Sequence, residues 1–522
     1  MAERPRVPEA FTSLVDLAAE LTGGFVLHAT DDFFAGKENL LRAAAPVFLP
    51  DEYTDKGKWM DGWESQRRRT PGHDHAVIRL GLPGRLHGFV IDTTHFKGNA
   101  PEACSLDVLE ADPYLPLDKV LSHPGWRELV PRTNVRPDFP NVVVVSPEAR
   151  REAGRVTHVR LHQYPDGGVA RLRAYGEVLP EPRTFWRPGS VDLGAVENGG
   201  TIAAVSDEFF GPPSNLLLPG RGVNMGDGWE TKRRRTPGSD WCVVKLGRRG
   251  VLDVLELHTH FFKGNAPQHV FVEALDEAEL GAARVAELLR SSEAGPGAWQ
   301  PFLDKHPLEQ HKRHELEPTR RVPVTHLRVH IFPHGGVNRM RFFGRALDTE
   351  GEKARLAALH ALPADEARTL FLSLCGARAF AERLLAARPF RSVRALFGVM
   401  EEAFWSLGEA DLLEAYAAHP RLGAPKRPAT QTDESARWSA REQAGTTGAT
   451  DVVLDALVVK NEQYFQRHGF IFICFATGKS AADMLASLEE RLPRATHEEI
   501  AAAAREQWKI TKRRLEVWLA GA

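Results

Sequence analysis

The sequence predicts two tandem all-β units followed by an all-α domain. Three observations carry this. The 522-residue chain exceeds one ordinary core, because domains run at roughly 100 to 200 residues. The N-terminal two-thirds repeats itself, and each copy is rich in short alternating runs cut by Pro and Gly. After about Asp348 the texture changes to alanine, leucine, glutamate and arginine.

The repeat is read block by block. Asp61-Gly62-Trp63-Glu64 leads into Arg67-Arg68-Arg69-Thr70-Pro71-Gly72, and 166 residues later Asp227-Gly228-Trp229-Glu230 leads into Arg233-Arg234-Arg235-Thr236-Pro237-Gly238. The same offset links Lys97-Gly98-Asn99-Ala100-Pro101 with Lys263-Gly264-Asn265-Ala266-Pro267. A third block, Pro165 to Val169 with Arg171 and Arg173, recurs as Pro333 to Val337 with Arg339 and Arg341. A weaker match pairs Asp31–Phe34 with Asp207–Phe210.

Within each copy, His158–His162 and Thr325–His330 alternate polar and apolar residues, as strands with one buried face do. Asn141–Ser146 reads as a further short strand, and Pro165-Asp166-Gly167-Gly168 as a turn. Many short strands with such turns predict a sandwich or barrel. One helical insert is expected over Glu277–Ser291. In the last third, helices are expected over Ala367–Ala387, Leu412–His419, Asp433–Ala444 and Val452–His468. A final helix over Thr496–Trp518 would start on a capping box of Thr496 and Glu499. The expected domains are 11–180, 181–348 and 356–522, joined near Asp348–Ala358 by a short charged linker.

Hydrophobic residues at 43% and charged residues at 26% match a soluble globular chain. A formal net charge of −2 gives no footprint for nucleic acid. Cys104, Cys242, Cys375 and Cys474 are scattered, without the paired spacing of a thiolate zinc site or a disulfide framework. The start, Met1–Phe11, has no apolar signal region, and the apolar run Gly469–Ala476 is too short to span a bilayer. A cytoplasmic protein without membrane or nucleic-acid partners is expected. His73, His75, His95, His258, His260, His311 and His314 could ligate a metal, but no zinc-protease spacing is present and no metal is expected.

Three features of the last third suggest chemistry. His419-Pro420 places an imidazole at a helix end. There the helix dipole would support a protonated ring suited to acid/base work, although a plain helix stop gives the same pattern. Ser439, Glu442 and Gln443 share a helix face that could hold a ureido group or simply be solvated. Asn461 and Tyr464 share another face, followed by Gly469 and the run Phe470-Ile471-Phe472-Ile473. That arrangement suggests backbone lining a pocket, or an ordinary buried connection.

Together, His-Pro-x-Leu-Gly, Ser-x-x-Glu-Gln and Asn-x-x-Tyr with Gly-Phe-x-Phe make residues 356–522 resemble OHCU (2-oxo-4-hydroxy-4-carboxy-5-ureidoimidazoline) decarboxylase. The resemblance implies an all-α fold without cofactor that converts OHCU to (S)-allantoin. It implies His419 as the catalytic acid/base. It makes Pro420, Ser439, Glu442, Gln443, the backbone of Ile471, Phe472 and Ile473, and Arg514 (beside Arg513) substrate contacts.

The doubled blocks over residues 11–348 resemble allantoicase. That resemblance implies two jelly-roll-like sandwiches, an oligomer, and hydrolysis of allantoate to (S)-ureidoglycolate and urea. Allantoate offers a carboxylate, for which arginine is the natural partner, and two ureido arms for acids and amides. The candidates are Asp61, Glu64, Arg67, Lys97 and Asn99, with Asp227, Glu230, Arg233, Lys263 and Asn265 as the second set. Trp63 reads as packing. The rival reading makes the β units a non-catalytic ligand-binding or oligomerising scaffold for the decarboxylase.

Overall fold

The computed structural model describes residues 8–11, 14–290, 297–419, 451–476 and 479–521. The chain forms two compact units, Met1–Glu181 with Gly189–Leu347, and Pro182–Pro188 with Asp348–Ala522.

The first unit holds two β-sandwiches of the same design. In the first, the 19-residue strand Asp74–Asp92 is the spine. Its first half pairs with Val156–Tyr164 and Phe25–Ala29, and its second half with Arg171–Val178 and Pro140–Val144. Ala103–Leu109 and Arg127–Asn134 extend the first layer. Every pairing is antiparallel. Asp240–His258 is the spine of the second copy, paired with Pro323–Phe332, Thr201–Val205, Arg339–Ala346 and Arg313–Leu316. Alternation along Val156–Tyr164 sends Val159 and Leu161 inward, both fully buried. A short helix covers the outer face of each sandwich. Val120 packs on Val77 and Leu109, and Val285 and Leu288 pack on Val243 and Leu275. The expected insert is two helices, Glu277–Leu280 and Ala282–Arg290, broken at Gly281.

The second unit is helical: Glu350–Ala361, Ala364–Cys375, Arg378–Ala386, Val393–Trp405, Glu409–Ala417, Asp451–His468, Ala481–Arg491 and Thr496–Ala520. Phe371, Phe380, Met400, Phe404, Tyr416, Tyr464 and Leu515 fill its core. Several expectations change here. The helix expected over Ala367–Ala387 is two, because Gly376 turns left-handed at φ 94° and passes so near Ala418 that a Cβ would lie 2.7 Å from that residue's methyl. The expected linker is instead a helix. Thr349 Oγ1 accepts from the Glu352 amide at 3.2 Å, and Glu352 Oε2 accepts from the Thr349 amide at 2.8 Å. The last helix is capped one residue earlier than expected, where Glu498 accepts the Ala495 amide at 3.3 Å. Glu499, expected in that cap, is fully buried and pairs with Arg491 Nε at 2.9 Å. The helix expected over Asp433–Ala444 lies outside the described residues.

Candidate active sites

In each sandwich the three repeated blocks converge on one place. Trp63–Glu64 pairs with Gly168–Val169, and the Gly168 amide donates to the Asn99 carbonyl at 2.7 Å. Asn99 Nδ2 donates to Glu64 Oε1 at 2.7 Å, so the first and second blocks meet side chain to side chain. The second copy repeats this: Trp229–Glu230 on Gly336–Val337, and Asn265 Nδ2 to Glu230 Oε1 at 2.6 Å. The weaker match belongs here too. Trp63 and Trp229 are fully buried, and their indole N–H groups donate to the carbonyls of Asp31 and Asp207.

A cavity of about 370 Å³ opens beside the Glu64–Asn99 pair. Phe34, Phe48, Lys58, Met60, His95 and Lys97 complete much of its wall. Burial pushes the Glu64 carboxyl above the usual carboxylate range, while the bond from Asn99 opposes that shift. His95 sits in the left-handed region at φ 73°. Its Nε2 lies 3.2 Å from the Pro46 carbonyl and its ring 5.7 Å from Phe48, which ties the 46–48 segment to the cavity. Lys58 rests over the Phe48 ring at 4.6 Å and donates to the Pro50 carbonyl at 3.2 Å.

In the helical unit, His419 follows the helix Glu409–Ala417, its amide bonded to the Tyr416 carbonyl. The residue is half-buried, yet its Nε2 is out of contact with solvent and has no hydrogen-bond partner among the described residues. Burial first, then the Arg514 guanidinium, pushes its pKa down to about 3, with the Gln507 side chain opposing. The ring is therefore neutral near pH 7, not the protonated imidazole that the helix dipole favours. Desolvation and a guanidinium outweigh a dipole felt only at the end of the helix. Arg514 is buried and donates to the Ser373 carbonyl at 3.0 Å. Gln507, also buried, donates to the Cys375 carbonyl at 3.2 Å.

Residues 15–179 and 191–347 match the family model described as the allantoicase repeat, and residues 360–516 match OHCU decarboxylase. The chain belongs to the allantoicase family and carries an OHCU decarboxylase domain at its C-terminus. It is 44% identical over 344 residues to a probable allantoicase of Burkholderia mallei, spanning 65% of this chain and 97% of the relative. A probable allantoicase of Acinetobacter baumannii is 40% identical over 341 residues, 65% and 96% of the two chains. The crystal structure of allantoicase from Saccharomyces cerevisiae covers 64% of this chain and 94% of its own, at 33% identity and a TM-score of 0.52. One chain thus unites two enzymes of purine catabolism.

The allantoicase repeats sort the candidates. Glu64, Lys97 and Asn99 come together at the cavity. Asp61 does not: it is buried, with Oδ2 2.8 Å from Arg171 and 3.0 Å from the Val47 amide. Asp227 is held the same way by Arg339 at 3.3 Å and the Val223 amide at 2.9 Å. The first arginine of the third block thus anchors the aspartate of the first. Arg67 and Arg233 are exposed, and the middle arginines, Arg68 and Arg234, bind Asp74 and Asp240 at 2.6 Å. The cations on the cavity wall are the lysines 58 and 97, where sequence reasoning placed an arginine. Lys263 is exposed.

Sequence reasoning passed over Lys58, Phe48 and Met60, and weighed His95 only as a metal ligand. Among the described residues no three His, Cys, Asp or Glu are arranged to hold a metal. His314 lies on the strand Arg313–Leu316, and His258 ends the strand Asp240–His258, bonded to Glu256 at 3.0 Å. Among the described residues no helix is long and apolar enough to cross a membrane.

In the decarboxylase domain, His419 lies close enough to Arg514 for the guanidinium to shift its pKa. Pro420, Ser439, Glu442 and Gln443 lie outside the described residues. Ile471, Phe472 and Ile473 are buried, and their backbone is partly engaged. The Phe472 amide donates to Asn461 at 3.2 Å and the Ile473 carbonyl accepts from Arg491 at 3.0 Å. Asn461 holds backbone, and Tyr464 donates to Glu499 at 2.6 Å. Gln507, beside His419, was not singled out from sequence, because a buried glutamine mid-helix carries no motif.

Proposed function

We propose that the Glu64–Asn99 cavity hydrolyses allantoate to (S)-ureidoglycolate and urea. The observation that carries this reading is a carboxyl of raised pKa, aligned by an amide, in a small cavity that also presents two ammonium groups. The lysines would take the substrate carboxylate. Asn99 holds Glu64 in place, and Glu64, inclined to keep its proton, would protonate the departing ureido nitrogen. The C–N bond breaks as urea leaves with that proton, water adds to the carbon left behind, and the ionised Glu64 takes up the proton that the water sheds. Urea release from allantoate tests it. Glu64→Gln keeps the bond to Asn99 but cannot deliver a proton, and is expected to lose about 10²- to 10⁴-fold in rate. Near-wild-type release would remove Glu64 from the chemistry.

For the decarboxylase we propose that His419, in its neutral form, manages the proton while Arg514 anchors an anionic oxygen of OHCU. Pro420, Ser439, Glu442, Gln443 and the 471–473 backbone complete the substrate contacts. Decarboxylation leaves negative charge on a ring carbon, so a buried guanidinium beside a base-form imidazole suits the step. His419→Asn should abolish stereoselective formation of (S)-allantoin while leaving urea release intact. We further infer a cytoplasmic homo-oligomer. Free Cys104, Cys242 and Cys375, their thiols pushed up to about 12 by burial, support a reducing compartment. Exposed Val142 and Val144 on the strand Pro140–Val144 support self-association, which light scattering would test.

A further inference from the structure

We propose that the second sandwich carries an esterase-type site: Ser239 is its nucleophile, His330 its base and Glu273 the carboxylate that orients His330, and its substrate is a small carboxylic ester with an apolar group. The site shares no residue with the Glu64 cavity.

The three side chains form a row. Ser239 precedes the spine Asp240–His258, Glu273 lies on His269–Leu275 and His330 on Pro323–Phe332. The last two strands are paired, with Glu273 opposite Arg328 and Phe271 opposite His330. Alternation buries Val270, Val272, Val329 and Ile331 in the core and leaves Phe271, Glu273, Arg328 and His330 on the opposite face.

Ser239 Oγ lies 3.1 Å from His330 Nδ1, and His330 Nε2 lies 3.0 Å from Glu273 Oε2. Glu273 also accepts from Arg328 at 2.9 and 2.5 Å. Burial pushes the Glu273 carboxyl up, but the bonds from His330 and Arg328 outweigh it and hold the group below the usual carboxylate range. Glu273 is therefore ionised near pH 7 and can only accept, so the neutral His330 ring carries its proton on Nε2. Nδ1 then offers its lone pair to the Ser239 hydroxyl. Nucleophile, base and orienting group in this relation activate a serine.

The first sandwich has the same row with a different end. His73 Nε2 lies 2.8 Å from His162 Nδ1, and His162 Nε2 lies 2.9 Å from Asp107 Oδ2. The histidine–carboxylate pair is common to both copies, and the second presents a hydroxyl to it where the first presents an imidazole. The flanks change as well. Ser105 and Tyr164, 3.0 Å apart through their hydroxyls in the first copy, are Phe271 and Phe332 in the second. Those rings stand 5.7 and 6.4 Å from the His330 ring. The second copy thus sets a half-buried apolar wall beside its hydroxyl, which suits the hydrocarbon part of an ester. Lys305, 4.4 Å from the centre of the Phe332 ring, brings a positive charge to that wall for the oxyanion.

The reaction is hydrolysis. Ser239 Oγ bonds to the ester carbonyl carbon while its proton passes to His330 Nδ1. The carbon–oxygen bond to the alcohol breaks, and the alcohol leaves with that proton. Water then adds to the acyl carbon and gives a proton to His330, and the acid leaves as Ser239 Oγ takes that proton back.

The test uses the full-length protein with p-nitrophenyl butyrate and, separately, a fluorophosphonate, the labelled residue being located by peptide mass spectrometry. Wild type should hydrolyse the ester and take up the phosphonyl group on Ser239. Ser239→Ala should lose the label and about 10²-fold or more of the ester hydrolysis, and His330→Gln should slow labelling of Ser239 by about 10²- to 10⁴-fold. Urea release from allantoate and the thermal melt should be unchanged in both variants. Absence of label from Ser239 in the wild type, or ester hydrolysis undiminished in Ser239→Ala, would overturn the proposal. Labelling of Ser239 as fast in His330→Gln as in the wild type would do the same, because an ordinary surface serine behaves that way. The wild-type labelling decides the point even where a variant fails to fold.

Discussion

Arg491 joins stability to function in the decarboxylase domain, and replacing it with methionine gives a sharp test. Its guanidinium is buried and meets three groups: Glu499 at 2.9 Å, the Ile473 carbonyl at 3.0 Å and the Phe472 ring at 4.6 Å. Glu499 is fully buried, so Arg491→Met strands a carboxylate away from water. Breaking a buried pair from one side costs about 3 to 5 kcal/mol. Arg494, 3.5 Å from Glu499 and 37% exposed, can compensate in part, which favours the lower end. For a domain of this size each kcal/mol moves the midpoint by about 2 to 4 °C, so a fall of about 6 to 12 °C is expected in the helical circular dichroism melt. Arg491→Met/Glu499→Leu removes the stranded charge as well and should recover most of the loss, less about 1 kcal/mol for the bond Tyr464 gives up. A single variant melting within about 2 °C of wild type, or a double variant worse than either single one, would refute this account of the pair.

Other outcomes follow from the same contacts. With His419 held near pKa 3, kcat/KM for OHCU should show no acid limb from this residue between about pH 5 and 8; an acid limb near 6.5 in the wild type would contradict its neutral state. Because that pKa is depressed on folding, wild type should lose stability relative to His419→Asn as pH falls from about 6.5 toward 3, readable from denaturant midpoints across that range. Thr349→Ala removes the cap of Glu350–Ala361 and should cost about 1 kcal/mol in denaturant unfolding of the helical unit. Gly168→Ala would place a methyl 2.0 Å from the Phe96 ring, costing about 1 to 3 kcal/mol, and should lower urea release by disturbing the strand that carries Glu64.

Much of the fold was legible because duplication exposes what two copies must share. The shared residues proved to be largely scaffold: Asp61 on Arg171, Trp63 under Asp31, and Gly168 against Phe96. The same comparison hides whatever only one copy has, so Lys58 and the hairpin it forms with Tyr53–Thr54 went unseen while Arg67, prominent in both copies, turned out to be exposed. Spacing also misled where a polar residue had an unseen burial partner. Glu499 sits where a capping acid belongs, yet Arg491 and Tyr464 draw it into the core. In the helical unit the pattern marked the helices but not the Gly376 break, which depends on the close approach of Ala418.

Pro182–Pro188 leaves the first sandwich and enters the helical unit before the second sandwich begins. Trp186 of this segment is buried there, its indole donating to Glu352 at 2.9 Å and its ring against Phe397. The two units therefore alternate along the chain instead of following one another end to end. A cut after residue 348 would take from the decarboxylase domain the tryptophan that packs on Phe397 and bonds Glu352, and would leave that indole without those partners on the other fragment.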